Sequence, residues 1–394
     1  MDNRYMKYIN EGYYYNVATK SNQTVLNLDT PPVQYVVIDG EHWTNVLVKN
    51  EKIPNQGWKI HISTNIKEAQ KTLDIVSTLM IENNVSFKYV KSITELMLKD
   101  SKYGDRGSSG KFITIYPKDT EQFISLLSLL ENNLNHLKPG PYILNDKRWY
   151  NSNVFFRYGA FIPRYIYKDG IKVDAIENLH GELIEDKRVP YYYLPDFVEE
   201  PIEIKNMDKT LDQVDISSPL DSFNIEESLH FSNGGGVYIC KNKNNEKVIL
   251  KEGRPHTAVD AQGRDAYSRI VNESEILDKL KNSKYPVKKS SAFQAWEHYF
   301  IEEEFIEGGD LSQWLVQNYP FNSSVQNESF TRSCINIINQ LIEAIQELHR
   351  NDVGMGDLQP GNIIITPDEQ VRLIDFETAS TTNDALTGLM TPGL

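Results

Sequence analysis

Cysteine is nearly missing from this chain of 394 residues: only Cys240 and Cys334 occur. No CxxC pair and no Cys/His cluster has zinc-ligand spacing, which excludes a zinc finger and a disulfide framework. Two lone thiols suit a reducing cytosol, so we expect a cytoplasmic protein with at most one disulfide. Met1 to Asn10 lack the apolar core of a signal peptide. No run nears the ~20 apolar residues of a membrane-spanning helix, so no membrane partner is expected. Basic charge is also short, with 41 Lys and Arg against 55 Asp and Glu, a net charge of −14. That balance argues against nucleic acid or anionic lipid as partner and is compatible with a basic peptide. Internal repeats and low-complexity tracts are missing too, which argues against repeat architectures.

What is present reads as globular protein. Hydrophobic residues make up 40% and charged residues 24%. At ~150 residues per domain the length suggests two or three domains. Gly57 to Ser63 alternates like a half-buried strand, with Lys59 and His61 on one face and Ile60 and Ile62 on the other. Asn65 to Asn83 is helical in spacing, with Ala69, Leu73, Val76 and Met80 on one stripe. Ser86 to Val90, Lys111 to Tyr116 and Val154 to Phe161 read as strands, and Thr120 to Leu134 as a helix. The texture changes between Val189 and Ser222, where Pro195 and an acidic stretch break the apolar runs. We expect an α+β chain with a first domain over 1–200, a linker over 201–220 and a second domain over 221–394. In the second, a long helix from about Ser329 to His349 should bury Cys334, Ile338, Leu341, Ile345 and Leu348.

The second half supplies the parts of a phosphoryl-transfer site in order. Transfer needs metal ions on the phosphates, a cation against their charge and a base for the acceptor hydroxyl. Gly234-Gly235-Gly236 can form a turn whose N–H groups approach phosphate. Val248-Ile249-Leu250-Lys251 resembles a kinase strand ending in the phosphate-binding lysine, and Glu273, with Glu275 second, is the expected helix partner. Asp357 to Asn362 has the D-x-x-x-x-N spacing of a catalytic loop, with Asp357 as base and Asn362 on metal. Asp375-Phe376 follows, where a second metal ligand is expected. Glu304 marks the nucleotide site but offers no reading of the base, so ATP and GTP stay open, with Mg2+ in either case. A glycine triplet alone is an ordinary turn and Lys251 alone a solvated lysine; the ordered set carries the reading. Met355-Gly356 stands where His-Arg precedes the catalytic Asp in kinases, Gln359 where a Lys is usual, and Glu377 where a Gly follows Asp-Phe. The chain stops at Leu394, shortly after Asp375, so a kinase-like N-lobe and only the start of a C-lobe are expected.

The first half is dense in cations near strands: Lys59, Lys88, Arg106, Lys111, Arg148, Arg157 and Arg164, with His61 and Tyr116 among them. These types suit β-elimination of phosphate from phospho-Ser or phospho-Thr. Several cations hold a group carrying nearly two negative charges. A lysine made less basic by burial can take the Cα proton, and an imidazolium can protonate the leaving phosphate. The plainer reading is that such lysines and arginines form a solvated face and that His61 is structural. Residue chemistry leaves both open.

Four segments narrow the choice. Pro54 to Ser63, Ser109 to Pro117, Gly140 to Asp146 and Phe156 to Phe161 resemble the lyase domain of class III lanthipeptide synthetases, itself similar to bacterial phosphothreonine lyases. The resemblance covers most of residues 30–200, and lyase-then-kinase order matches the synthetases. It implies Lys88 as general base, His61 as general acid, and Lys59, Arg106 and Tyr116 lining the site. It further implies Arg157, Arg164 and Arg148 as phosphate-binding groups, with no cofactor for the lyase half. The implied partner is a leader-bearing precursor peptide, whose Ser and Thr become dehydroalanine and dehydrobutyrine. Family members continue into a C-terminal cyclase-like domain, which is not expected within these 394 residues. Class IV synthetases share the first two domains; the Gln56 to His61 run favours class III. The alternatives are a stand-alone phosphothreonine lyase with an inactive kinase-like, leader-binding module, a peptide-binding module without turnover, and a small-molecule kinase.

Overall fold

The computed structural model describes residues 24–212, 217–260, 263–320 and 328–381. The segment read for a signal core, Met1 to Asn10, and the chain end at Leu394 lie outside the described residues. The chain divides into two compact units, formed chiefly by residues 6–216 and by residues 217–394.

The first unit runs β1 (Tyr35–Asp39), β2 (Trp43–Val48), β3 (Gln56–Ile62), α1 (Ala69–Glu82), β4 (Ser86–Val90), α2 (Ile93–Lys99), β5 (Ile113–Tyr116), α3 (Thr120–Leu134), β6 (Lys147–Arg148) and β7 (Val154–Ala160). Then come β8 (Tyr165–Lys168), β9 (Ile171–Glu177), β10 (Leu183–Glu185) and α4 (Ile202–Asp212). Seven strands form an antiparallel sheet in the order β1-β2-β4-β5-β3-β7-β6, and β10-β9-β8 form a smaller one.

Strand alternation sorts the large sheet into two faces. Trp58, Ile60, Ile62, Phe87, Ile113, Ile115, Val154 and Phe156 enter one buried cluster with Leu73, Val76 and Met80 of α1 and Phe123, Leu127 and Leu130 of α3. Trp58 stacks on Phe123 with ring centroids 5.1 Å apart. α3 starts where the Asp119 side chain accepts from Gln122 N at 2.8 Å, and its buried residues Phe123, Leu126, Leu127, Leu130 and Leu134 follow helical spacing. Each such side chain contributes roughly 1.5–3 kcal/mol by leaving water.

Two expectations change in this unit. The stretch 201–220, read as a linker, contains α4, whose Ile204 and Met207 are fully buried in the same cluster. The cationic face of β3 is also covered: Lys59 is 8% and His61 4% exposed. Alternation reports which residues share a face, and says nothing about what lies over it.

The second unit holds β11 (Asn224–Ser232), β12 (Gly235–Lys241), β13 (Lys247–Gly253), α5 (Ala266–Lys279), β14 (Lys289–Ala295) and β15 (His298–Glu304). It continues through β16 (Gly309–Asp310), α6 (Leu311–Asn318), α7 (Glu328–Arg350), β17 (Val353–Gly354), β18 (Ile363–Ile365), β19 (Val371–Leu373) and β20 (Ser380–Thr381). An antiparallel five-stranded sheet, β11-β12-β13-β15-β14, carries α5. The helical part packs Ile337, Ala344 and Leu348 of α7 against Met355, Ile363, Leu373 and Phe376. Cys240 and Cys334 are both free thiols. On α7 the buried residues are Ile337, Gln340, Ala344 and Leu348, while Ile338 is 54% exposed. The apolar residues of α7 cover one broad face, so spacing alone does not choose between neighbouring stripes on it. Among the described residues no helix is long and apolar enough to cross a membrane.

Candidate active sites

In the first unit, sheet register brings the sequence candidates into rows. Lys88 on β4 pairs with Thr114 on β5, Thr114 with His61 on β3, His61 with Phe155 on β7, and Phe155 with Arg148 on β6. Directly paired residues share a face. Lys88 and His61 therefore face the same way two strands apart, about 10 Å between backbones at ~4.8 Å per strand. One row along, Lys59 pairs with Arg157, and Tyr116 lies on the Thr114 face of β5. The five residues Lys59, His61, Lys88, Tyr116 and Arg157 are thus placed on one face by pairings between distant parts of the chain.

The loop before β6 adds a carboxylate that sequence reasoning left without a role. Gly140 lies so close to the residues that follow β3 that an added Cβ would stand 2.3 Å from Thr64 N, and Ser63 Oγ donates to Pro141 O at 2.6 Å. The pinned loop carries Asp146 to His61 Nδ1, with its other oxygen 3.3 Å from Lys111 Nζ. Burial would raise the Asp146 pKa, but His61, Lys111 and Arg157 outweigh it and hold the carboxyl well below its usual range. An ionised carboxylate only accepts, so His61 Nδ1 carries the proton and Nε2 is left for chemistry.

Burial dominates the cations. It drives the Lys59 amine well below its ordinary pKa, helped by Arg157 and opposed by Asp186. Lys88 is lowered by burial and by the charge of Arg188. Lys111 is pushed down to about 8 by burial, against the pull of Asp146. His61 is pushed down to about 3 by burial, which Asp146 opposes and Lys111 assists. Burial raises Tyr116. Lys88 Nζ lies 4.5 Å from the Trp43 ring centroid, and Lys99 Nζ lies 3.8 Å from it.

The four candidate arginines separate. Arg106 lines a cavity of about 300 Å³ with Asp105, Asn145 and Arg188. Arg157 is buried against Asp186 at 2.5 Å. Arg148 Nε donates to Ser152 O at 2.6 Å, and its guanidinium lies over Phe155. Arg164 is paired with Glu177 at 2.5 Å. Asp186 and Arg188 carried no signal at sequence level, because nothing local marks them as neighbours of β3 and β7.

In the second unit, Lys251 Nζ donates to Glu273 of α5 at 2.7 Å and lies 3.9 Å from Asp375. Glu275 has no part in this pair. Burial opposes the lysine's charge, but Glu273, Glu303 and Asp375 outweigh it and raise its pKa. Glu273 also accepts from Phe376 N at 2.8 Å, which fixes the loop carrying Asp375. Asn362 Nδ2 donates to Asp357 O at 2.9 Å and to its carboxylate at 3.2 Å, and Gln359 Nε2 reaches the same carboxylate at 2.9 Å. Glu377 lies 3.4 Å from Arg269 Nε of α5, while Asn272 Nδ2 donates to Ala379 O at 2.9 Å.

Gly234 sits in the two-residue turn between β11 and β12, with Gly235 and Gly236 opening β12. Gly235 has φ +141°, and an added Cβ would stand 1.9 Å from Glu252 O, so only glycine fits. Glu304, the position read as marking the nucleotide site, ends β15. Its carboxylate pairs with Arg372 and accepts from Lys288 N at 2.6 Å. Alternation along β15 puts its neighbour Glu303 on the Lys251 face instead, 3.7 Å from Nζ. Among the described residues no group of three or more His, Cys, Asp or Glu is arranged to hold a metal ion. Asp375 and Asn362 offer hard oxygen donors that fit Mg2+, an ion that takes its other ligands from phosphate and water.

Residues 24–214 match the family described as RamC, N-terminal domain, and residues 223–391 match the protein kinase domain family. The chain is 32% identical over 349 residues to the "Probable SapB synthase" of Streptomyces coelicolor, covering 87% of this chain and 37% of that one. The second half is 29% identical over 149 residues to the serine/threonine-protein kinase cds1 of Schizosaccharomyces pombe, 37% of this chain and 28% of that one. It is 28% identical over 149 residues to the dual specificity protein kinase zakA of Dictyostelium discoideum, 38% of this chain and 18% of that one. The chain thus spans well under half the length of these relatives. It carries a RamC N-terminal domain followed by a protein kinase domain, and belongs with the class III lanthipeptide synthetases whose motifs it shares.

Proposed function

We propose that the chain dehydrates Ser and Thr of a leader-bearing precursor peptide in two steps, phosphorylation by the second unit and β-elimination by the first. The carrying observation is the row Lys88–Thr114–His61, which sets a lysine of lowered basicity and a carboxylate-held imidazole on one buried, cationic face. In the kinase step, Asp357 accepts the hydroxyl proton and Lys251, aligned by Glu273, holds the nucleotide phosphates. Mg2+ held by Asp375 and Asn362 would neutralise charge on the transferred phosphate. ATP and GTP both fit this reading. The intact Lys251–Glu273 pair favours a working kinase over an inert leader-binding module.

In the elimination step, neutral Lys88 takes the Cα proton. The C–H electrons form the Cα–Cβ double bond, the Cβ–O bond breaks, and phosphate leaves. Lys59 and Tyr116 face the developing enolate, and arginines hold the phosphate. Arg106, Arg157, Arg148 and Arg164 are the candidates for that task, of which Arg157 must first leave Asp186 and Arg164 must first leave Glu177. His61 is neutral while burial holds its pKa near 3. A bound phosphate carries up to two negative charges and raises that pKa, and its own second proton, with a pKa of about 6, can load Nε2. His61 then returns the proton to the leaving group. The products are dehydroalanine or dehydrobutyrine and inorganic phosphate. A cyclase-like domain in a longer protein would act next, in the cytoplasm where nucleotide and reduced thiols occur.

Mass spectrometry of a synthetic phosphoserine peptide incubated without nucleotide tests the elimination. Wild type should release phosphoric acid and Lys88→Ala should not. Equal loss with both proteins sinks the base assignment, and no loss with wild type, even on a leader-bearing peptide, sinks the elimination.

A further inference from the structure

The segment after β10 crosses the cationic face. Asp186, 4% exposed, accepts from Arg157 Nη2 at 2.5 Å, and the Lys187 carbonyl accepts from the same nitrogen at 3.2 Å. The Ala160 N–H also donates to Asp186 at 3.5 Å. Arg157 rises from β7 beside Lys59, so these bonds tie the segment to the face that holds Lys59, His61 and Lys88. The next residue is Arg188, which lines the 300 Å³ cavity together with Arg106 and Asn145. Its charge reaches Lys59, Lys88 and Lys111 and lowers the basicity of all three. Asn145 Nδ2 donates to Gly107 O at 3.3 Å, which ties the Arg106 turn to the loop that brings Asp146 to His61.

The arginines differ in what they must give up to hold an anion. Arg157 would have to leave a buried carboxylate, and breaking a buried pair costs several kcal/mol. Arg188 is paired with Asp174 at 2.5 Å, but the two side chains are 45% and 36% exposed. A pair so open to water is worth ~0–1 kcal/mol, so Arg188 can exchange Asp174 for a doubly charged phosphate at little cost. Its planar fork can then meet two phosphate oxygens, and Arg106 lines the same cavity.

We propose that Arg188 contacts substrate directly and, with Arg106, binds the phosphate of the phosphorylated Ser or Thr side chain. The inference rests on the elimination reading only for the identity of that anion. It gives the segment 186–188 a purpose: Asp186 anchors it, and Arg188 makes the contact.

Binding without turnover tests this separately from catalysis. A phosphoserine peptide and its unphosphorylated counterpart are titrated calorimetrically into the Lys88→Ala protein, alone and combined with Arg188→Ala, Arg188→Gln or Asp174→Ala. Arg188→Ala and Arg188→Gln should each weaken the phosphopeptide about tenfold or more, the loss of one charge-assisted contact, and leave the unphosphorylated peptide unchanged. Asp174→Ala, which releases Arg188, should hold the phosphopeptide at least as tightly as the parent. An unchanged phosphopeptide Kd in both Arg188 variants overturns the proposal, as does an equal loss for both peptides. A wild-type protein that binds the phosphopeptide in this pattern but never eliminates phosphate keeps Arg188 and sinks the elimination. Full elimination with unchanged Kd in the Arg188 variants does the reverse.

Discussion

Replacing Asp146 by Asn keeps the side chain's shape and removes one negative charge from between His61 and Lys111. Asp146 is 1% exposed and touches both partners, so the change leaves buried Lys111 without its counter-ion and the His61 ring without its carboxylate. Breaking a buried pair costs about 3 kcal/mol, which at ~2–4 °C per kcal/mol lowers the Tm of a unit of this size by about 6–12 °C. The sign in acid follows from linkage. The folded-state pKa of Asp146 is depressed, so its contribution is present above the ordinary carboxylate range and is lost as pH falls through the depressed value. The stability gap between wild type and variant should therefore begin to narrow only below about pH 4 and close as pH falls through the depressed value. Catalysis should suffer through His61. An Asn amide can donate to Nδ1, which moves the ring proton to Nε2 and leaves no carboxylate to stabilise the imidazolium. Loss of a general acid costs about 10²–10⁴ in rate, whereas the arginines that hold phosphate are untouched. The assay is kcat and KM for phosphate release from a phosphoserine peptide, beside thermal unfolding of the same samples. A folded Asp146→Asn protein with wild-type kcat, or with its whole defect in KM, would refute the reasoning.

Three further outcomes are expected. Lys251→Ala should cost the kinase about 10²–10³ in peptide phosphorylation, read by radiolabel transfer, while elimination from a pre-phosphorylated peptide continues at the wild-type rate. The pH profile of kcat/KM for elimination should lose activity as pH falls through a lysine pKa lying below 10.5, because only the neutral Lys88 amine takes the proton. An acid limb at an unshifted lysine value would contradict the burial argument. Ile60→Ala, at a fully buried position, should lose about 2–5 kcal/mol by urea denaturation, and Ile338→Ala, 54% exposed, should change stability by less than ~0.5 kcal/mol.

Much of the fold was legible because its signals are local. The helix Thr120–Leu134 and the strand Ser86–Val90 have the limits that their spacing implies, since capping and periodicity act within a few residues. The α1 stripe Ala69, Leu73, Val76 and Met80 is fully buried, as the 3.6-residue repeat demands. The facing of Lys59 and His61 opposite Ile60 and Ile62 follows from strand geometry alone. α7 shows where periodicity stops: with one broad apolar face, only the packing against Ile363, Leu373 and Phe376 selects the buried stripe.

The sequence by itself determined the order of the motifs, the alternation of each strand and the residue types available for phosphate chemistry, because these depend on neighbours in the chain. Tertiary structure alone decided which charges meet. Asp146 reaches His61 across 85 residues, Asp186 reaches Arg157 across 29, and Glu303 comes within 3.7 Å of Lys251 from a neighbouring strand. Tertiary structure also decided that the lysines are buried. Desolvation depends on what lies over a side chain, and no local pattern records that.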